Sequence, residues 1–231
     1  MSRGLKGLML VLSLVGLALC ARRLAQEDGP APLALRALTI AVALGAWFLS
    51  QSLLGGRAPG AGGIGDAVHD WTRSLHARLV RNPGAANALL VVTSLFIDGF
   101  GLFLLGSALF GPSMRPAVAL LLLFAFRQVA QAICALPAPP GMIWRHPGFP
   151  SLLVTYGVAN DFFFSGHTAI AVLGAIEAWK VAPGWVGLAA AGIACLEAVA
   201  VLVLRAHYTM DVLTGIVAAF CAAGLAGHLC A

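Results

Sequence analysis

Charge is what this chain has least of. Of its 231 residues, 10% are Asp, Glu, Lys or Arg and 60% are hydrophobic; the mean hydropathy is +0.93. A soluble domain of this length carries a charged shell of about a quarter of its residues, so a water-soluble globular fold is excluded. Alternation of polar and apolar residues is also missing. The Ala/Leu/Val runs are continuous, which excludes the short alternating strands of a membrane β-barrel. Paired cysteines are absent as well. Cys20, Cys134, Cys195, Cys221 and Cys230 are scattered, odd in number and form no CxxC, which argues against a disulfide framework or a zinc site. They suit the role of small membrane-compatible side chains. No internal repeat is visible. The net charge is +5. In a soluble protein that would raise nucleic acid as a partner. Here the arginines lie mostly between apolar runs, where they anchor headgroups and set topology, and no nucleic-acid partner is expected.

What is present is a series of apolar runs, several of about 17 to 24 residues and so long enough to cross a bilayer core. The fold class expected is all-α: a polytopic membrane helical bundle with six core transmembrane helices, an extra N-terminal helix and an interfacial amphipathic helix. The core spans are expected at about Leu35–Leu54, Asn87–Phe110, Pro116–Ala135, Ser165–Trp179, Trp185–Leu204 and Tyr208–Leu229. The N-terminal "MSRGLKGLMLVLSLVGLALCARR" has basic flanks around an apolar stretch and fits either a signal peptide or a short first span. Leu19 stands where a lipoprotein site needs a small residue, and a membrane anchor is preferred. Residues 1–231 are read as a single catalytic domain: 1–32 an anchor or signal-like helix with its linker, 64–81 the interfacial helix, 87–230 the catalytic core. Within 64–81, Ile64, Val68, Trp71, Leu75 and Leu79 recur at helical spacing, with Arg73, Arg78 and His69 on other faces, as in a helix lying on a membrane. His69 and His76 are expected to be solvated or to face headgroups. The proline-rich, aromatic loop Leu136–Asp161 is long for a helical bundle, and loops of that length are usually functional or disordered; its aromatics favour function.

Polar residues at membrane depth call for a reason. Four places have them: Asp98, Arg127, Ser165-Gly166-His167, and "RAHYTMD" from Arg205 to Asp211. His207 and Asp211 are four apart, so on a helix they share one face. A carboxylate there can fix the imidazole tautomer and leave the other nitrogen basic. If the last spans are consecutive, the helix starts at His167 and Tyr208 emerge on one membrane side, with the end of the Pro116–Ala135 span and the loop after it. His167, His207, Asp211, Arg205 and Arg145 can then meet near one interface, with Arg127 reaching up from its helix. Two imidazoles, a carboxylate and guanidinium forks suit phosphoryl transfer. Ser165 and Gly166 at a helix start add backbone donors toward an anion. Asp161 would cap this region or orient His167, and Tyr208 would touch substrate or pack at the interface. Asp98, among glycines, fits a helix-packing hydrogen-bond partner. Phe162, Phe163 and Phe164 are expected to wall an acyl entrance.

"FSGHT" followed by "HYTMD" resembles the C-type branch of the type 2 phosphatidic acid phosphatase superfamily, which includes sphingomyelin synthases. "FRQVAQAICALPAPPGM" resembles the Arg-then-Leu-Pro-x-Pro segment of those enzymes. "TRSLHARLVRNPGAANALL" is similar to the region before the matching span in plant phosphatidylcholine:diacylglycerol cholinephosphotransferases. The resemblance covers about Asp66 to Ala226. It implies that His207 is a nucleophile forming a phosphohistidine, that Asp211 orients it, and that His167 serves as acid and then base, with no metal and no other cofactor. It also implies an active site on the extracytoplasmic or lumenal face, although Arg57, Arg73, Arg78 and Arg81 on the catalytic side would favour the cytoplasm.

The phosphatase branch departs from this chain. Its Lys–six residues–Arg-Pro motif would need a lysine at Ala108, ahead of Arg115-Pro116, and its further arginine would stand at Val201. A phosphomonoester dianion needs a denser cationic cradle than a diester with one negative charge. The thinner set kept here (Arg127, Arg205, Arg145) favours a diester. The expected function is transfer of a phosphocholine- or phosphoethanolamine-type headgroup from a membrane phospholipid donor to a lipid alcohol acceptor, diacylglycerol or ceramide. The alternative is a lipid phosphate phosphatase or phospholipase C-like hydrolase using the same residues. A third, non-enzymatic reading, a scaffold or transporter with Asp98 and Glu197 lining a path, fits less well, because the histidine motifs cluster near one interface.

Overall fold

A computed structural model describes residues 33–55, 64–156 and 162–230. The expected N-terminal anchor and Asp161 lie outside the described residues. Among these the chain is all-helical: α1 (Leu33–Gly55), α2 (Ala67–Trp71), α3 (Arg73–Arg81), α4 (Pro83–Phe110), α5 (Arg115–Ile133), α6 (Gly166–Val181), α7 (Gly184–Val203) and α8 (Thr209–Leu229). Five are long and apolar enough to cross a membrane: α1, α4, α5, α7 and α8. Their outward faces are apolar, with Phe110 and Ile133 each 77% exposed, as lipid-facing surfaces must be. The protein is an integral membrane protein.

Helix boundaries follow local chemistry. The start of α4 lies earlier than the apolar pattern suggests, because Asn82 caps it through Ala85 N at 3.1 Å and Pro83 occupies the first turn, where a missing N–H costs nothing. α6 is the central helix, packed against α4, α7 and α8. At 16 residues it is about 24 Å long, short of the roughly 30 Å hydrocarbon core. One end carries His167; the other carries Glu177, which pairs with Arg115 at 2.7 Å and Lys180 at 3.0 Å. Buried alanines on α7 and α8, among them Ala194, Ala219 and Ala222, let helices approach closely where packing rather than hydrophobicity drives association. At Gly215 a Cβ would lie 2.8 Å from the Ser165 carbonyl oxygen, so only glycine lets the starts of α6 and α8 touch.

The 64–81 segment differs from expectation. It is two helices broken at Thr72, whose hydroxyl donates to the Val68 carbonyl at 2.7 Å. His69 and His76 are buried, not solvated. His69 Nε2 donates to the His207 carbonyl and His76 Nδ1 to the Val203 carbonyl, each at 2.9 Å. The correction has a physical cause: carbonyls around a helix end have no intrahelical partner, and buried ones must be satisfied. The two imidazoles supply those donors, while Trp71, Leu75 and Val80 form the exposed apolar side.

Candidate active site

The connection between α7 and α8 carries the site. α7 ends in a Schellman arrangement: Ala206 N donates to Val201 O at 2.9 Å and Arg205 N to Leu202 O at 3.0 Å, with Arg205 left-handed at φ 53°. Glycine is usual at that position. The next carbonyls are taken from outside: Val203 by His76, and Leu204 by Ile143 N at 2.8 Å. The turn then delivers His207 just before α8. Asp211, in the first turn of α8, accepts from Tyr208 N at 2.8 Å. The start of α6 is joined to it, because Ser165 N donates to the Asp211 carbonyl at 3.1 Å. Ser165 Oγ caps α6 by accepting from Thr168 N at 3.3 Å. Two helix N-termini, one bearing His167 and the other preceded by His207, are therefore fastened together through their main chains.

His207 and His167 line one pocket of about 50 Å³ with Arg127, Trp47, Phe124 and Trp144. Trp144 meets His167 edge-on at 5.0 Å, and the Leu153–Thr155 part of the long loop closes the wall. Asp98 holds that part in place by accepting from Leu152 N at 2.8 Å and Leu153 N at 2.9 Å, so it anchors the loop where a helix-packing partner was expected. His207 Nδ1 lies 2.9 Å from the Phe162 carbonyl. A carbonyl only accepts, so Nδ1 carries the proton and Nε2 is the basic nitrogen of the neutral ring. The Asp211 carboxylate is 3.6 Å from the same Nδ1, beyond hydrogen-bonding distance. The tautomer is thus set by a backbone carbonyl, with the carboxylate behind it. Arg127 Nε donates to the Phe164 carbonyl at 3.0 Å, and its guanidinium lies against Gly166, where a Cβ would stand 3.1 Å from Nε.

The expected site residues therefore divide. His167, His207, Arg127 and Gly166 line the pocket; Ser165 and Asp211 hold its helix ends. Tyr208 is buried and stacks on His69 at 5.6 Å between ring centroids. Arg205 and Arg145 lie outside the pocket. Arg205 Nη1 donates to Pro140 O at 2.9 Å, and Arg145 Nη2 to Asn87 Oδ1 at 2.6 Å. Phe162 and Phe164 are buried and Phe163 is half-buried; Phe162 lines the pocket, and the carbonyls of Phe162 and Phe164 meet His207 and Arg127. Sequence reasoning missed Trp47 and Trp144 in the lining, and Asp66, which caps α2 through Val68 N and accepts from Thr209 N at 2.6 Å and Thr209 Oγ1 at 2.8 Å. The available signal was an acid just ahead of a helical run, an N-cap pattern.

The placement of Arg205 gives a test. A non-glycine residue in the left-handed region costs about 1–2 kcal/mol, so Arg205→Gly relieves strain while losing one hydrogen bond of about 1 kcal/mol. Unfolding temperature is expected to stay within a few degrees of wild type, and turnover within about threefold, because Arg205 is not in the pocket. A loss as large as that from removing a pocket residue would put its guanidinium on the substrate.

The bundle and its paired-histidine pocket define a helical integral membrane protein with a buried polar site beside two helix starts. The profile of the AtPDCT1/2 family matches residues 65–228, and the chain belongs to that family. Phosphatidylcholine:diacylglycerol cholinephosphotransferase 1 of Arabidopsis thaliana is 24% identical over 156 residues, 68% of this chain and 50% of that protein. The chain thus spans about half the length of the curated relative it matches. No solved structure matches it. The family match starts after α1, so Trp47 enters the pocket from outside the matched region.

Proposed function

We propose that this protein is a phospholipid headgroup transferase that moves phosphocholine, or a similar amino-alcohol phosphate, from a glycerophospholipid to diacylglycerol. The observation that carries the reading is the shared pocket of His207, His167 and Arg127, in which the Phe162 carbonyl fixes Nδ1–H and leaves Nε2 of His207 basic. The relative's name supplies the substrate class.

In the first half-reaction, His207 Nε2 attacks phosphorus and the bond from phosphorus to the glycerol oxygen breaks. Protonated His167 gives that oxygen its proton, releasing diacylglycerol and leaving a phosphohistidine whose phosphorus still carries the amino alcohol. In the second, neutral His167 takes the proton of an incoming diacylglycerol hydroxyl, whose oxygen displaces the imidazole from phosphorus. Arg127 neutralises the non-bridging oxygens in both transition states. Donor and product are both diacylglycerol esters, so the exchange is close to isoenergetic and needs no energy source. We read α6 as a sixth membrane crossing with its catalytic end near one interface, assign the fold to the type 2 phosphatidic acid phosphatase superfamily, and place the site on the extracytoplasmic or lumenal face.

The test uses purified protein in vesicles containing headgroup-labelled phosphatidylcholine and a diacylglycerol of distinct acyl chains. Label is expected in phosphatidylcholine that carries the added acyl chains. Label accumulating only in free phosphocholine would replace the transferase with a hydrolase.

A further inference from the structure

The two histidines buried beneath the 203–209 turn lie outside the catalytic scheme. Their chemistry is nonetheless specific. The turn that carries His207 runs between two spanning helices, and its own helical hydrogen bonds end at Ala206 N. From there to the start of α8, the main chain is held by Asp211, which accepts from Tyr208 N, and by two side chains of the α2–α3 region. His69 Nε2 donates to the carbonyl of His207 itself at 2.9 Å. Its ring stacks on Tyr208. Asp66, at the N-terminus of the same short helix, accepts from both the N–H and the hydroxyl of Thr209. Three successive residues, 207 to 209, are therefore gripped by Asp66 and His69. His69 is 6% exposed, so water does not substitute for its donor.

Partial burial pushes the Asp66 carboxyl up, but the hydrogen bonds from Thr209 and His69 and the nearby His69 ring outweigh it, and its pKa lies below the ordinary carboxylate value. The folded pKa is depressed, so the grip is complete above the ordinary carboxylate range and weakens only as pH falls below it. Throughout the neutral range the acceptor is ionised.

We propose that His69, with Asp66 as its second point of attachment, is a positioning residue for the nucleophile. It holds the carbonyl end of the 207–208 peptide, whose N–H end is held by Asp211 at 2.8 Å, and with it the direction in which the imidazole projects from the Phe162 carbonyl into the pocket. The inference rests on the transferase reading for the role of His207 and deepens it. A ring whose Cα is free to rotate by a few degrees loses the line of attack on phosphorus, and misplacement of about 1 Å costs about 10²-fold in rate.

The experiment compares His69→Ala with His69→Gln, whose side-chain amide places an N–H near the imidazole Nε2 position. Two readouts are taken on detergent-purified full chain: transfer kinetics, and the rate at which diethyl pyrocarbonate carbethoxylates His207, followed by peptide mass spectrometry. His69→Ala is expected to lower kcat at least tenfold with KM within about threefold, and to speed His207 modification at least fivefold as the ring loosens. His69→Gln is expected to restore both to within threefold of wild type. Unchanged kcat and modification rate in His69→Ala would overturn the proposal. So would equal losses in both variants with equally lowered unfolding temperature, which mark a fold role alone. If diethyl pyrocarbonate modifies His207 of the unsubstituted protein but that protein transfers no headgroup, the transferase reading fails and the modification rates alone decide the positioning role.

Discussion

Replacing His207 with alanine is expected to lower headgroup transfer by more than about 10³-fold, because a covalent route loses its nucleophile altogether. Replacing His167 is expected to cost about 10²–10⁴-fold, the range for loss of a positioned acid–base. Those ranges overlap, so the rates alone do not assign roles. A donor with a better leaving group separates them. With 4-nitrophenyl phosphocholine the departing nitrophenolate needs no proton. The His167→Ala protein is expected to release a burst of nitrophenolate equal to the active sites present, and then to stall, since no base remains to deprotonate the acceptor. The His207→Ala protein is expected to give no burst. A burst that survives loss of His207 would move the nucleophile to another residue. The assignment of Nε2 as attacking atom follows from the 2.9 Å contact between Nδ1 and the Phe162 carbonyl. The phosphorylated protein should accordingly carry its label at Nε2, as the regiochemistry of the phosphohistidine would report.

The parts legible in the sequence were those encoded by side-chain identity along the chain. Continuous apolar runs defined the helices to within about two residues at most ends, since a bilayer admits only helices and closed barrels and the runs do not alternate. The motifs around His167 and His207 were visible because ionisable groups are rare at such depth. What stayed hidden was the main chain. His207 is oriented by the Phe162 carbonyl, Arg127 by the Phe164 carbonyl, and His69 and His76 are buried because carbonyls of the 203–207 turn need donors. Every residue has a carbonyl, so no pattern of residue types marks which of them tertiary structure will present. Asp211 illustrates the consequence. Its spacing suggested one shared helix face; His207 instead precedes α8, Asp211 stands 3.6 Å from its Nδ1, and Tyr208 N takes the carboxylate oxygen. The arginines were hidden for a related reason: a long side chain can reach several acceptors, and Arg205 and Arg145 donate to Pro140 O and Asn87 Oδ1 outside the pocket lining. Arg115 sits at the far end of the bundle with Glu177, consistent with the absence of the phosphatase lysine ahead of it.

Among the described residues Arg127 is the cation that lines the pocket, and its removal carries the second large effect. Arg127→Ala is expected to lower kcat by about 10²–10³-fold, the cost of losing a preorganised group from the developing charge. Arg127→Lys is expected to recover little, because an ammonium restores the charge without the planar fork that can hold the Phe164 carbonyl and a phosphate oxygen together. Gly166 provides the control for position as distinct from charge. A Cβ there would stand 3.1 Å from Nε and 3.3 Å from Cζ, tight enough to displace the guanidinium by a few tenths of an ångström. Gly166→Ala alone should lower kcat about tenfold, since misplacement by about 1 Å costs about 10²-fold. In the Arg127→Ala background the added methyl meets no guanidinium, and the double variant should be no slower than Arg127→Ala by itself. Neighbours acting through one contact are non-additive in this way. If the two losses simply multiply, Gly166 acts through the helix start instead, and the guanidinium is not the group whose position the glycine protects.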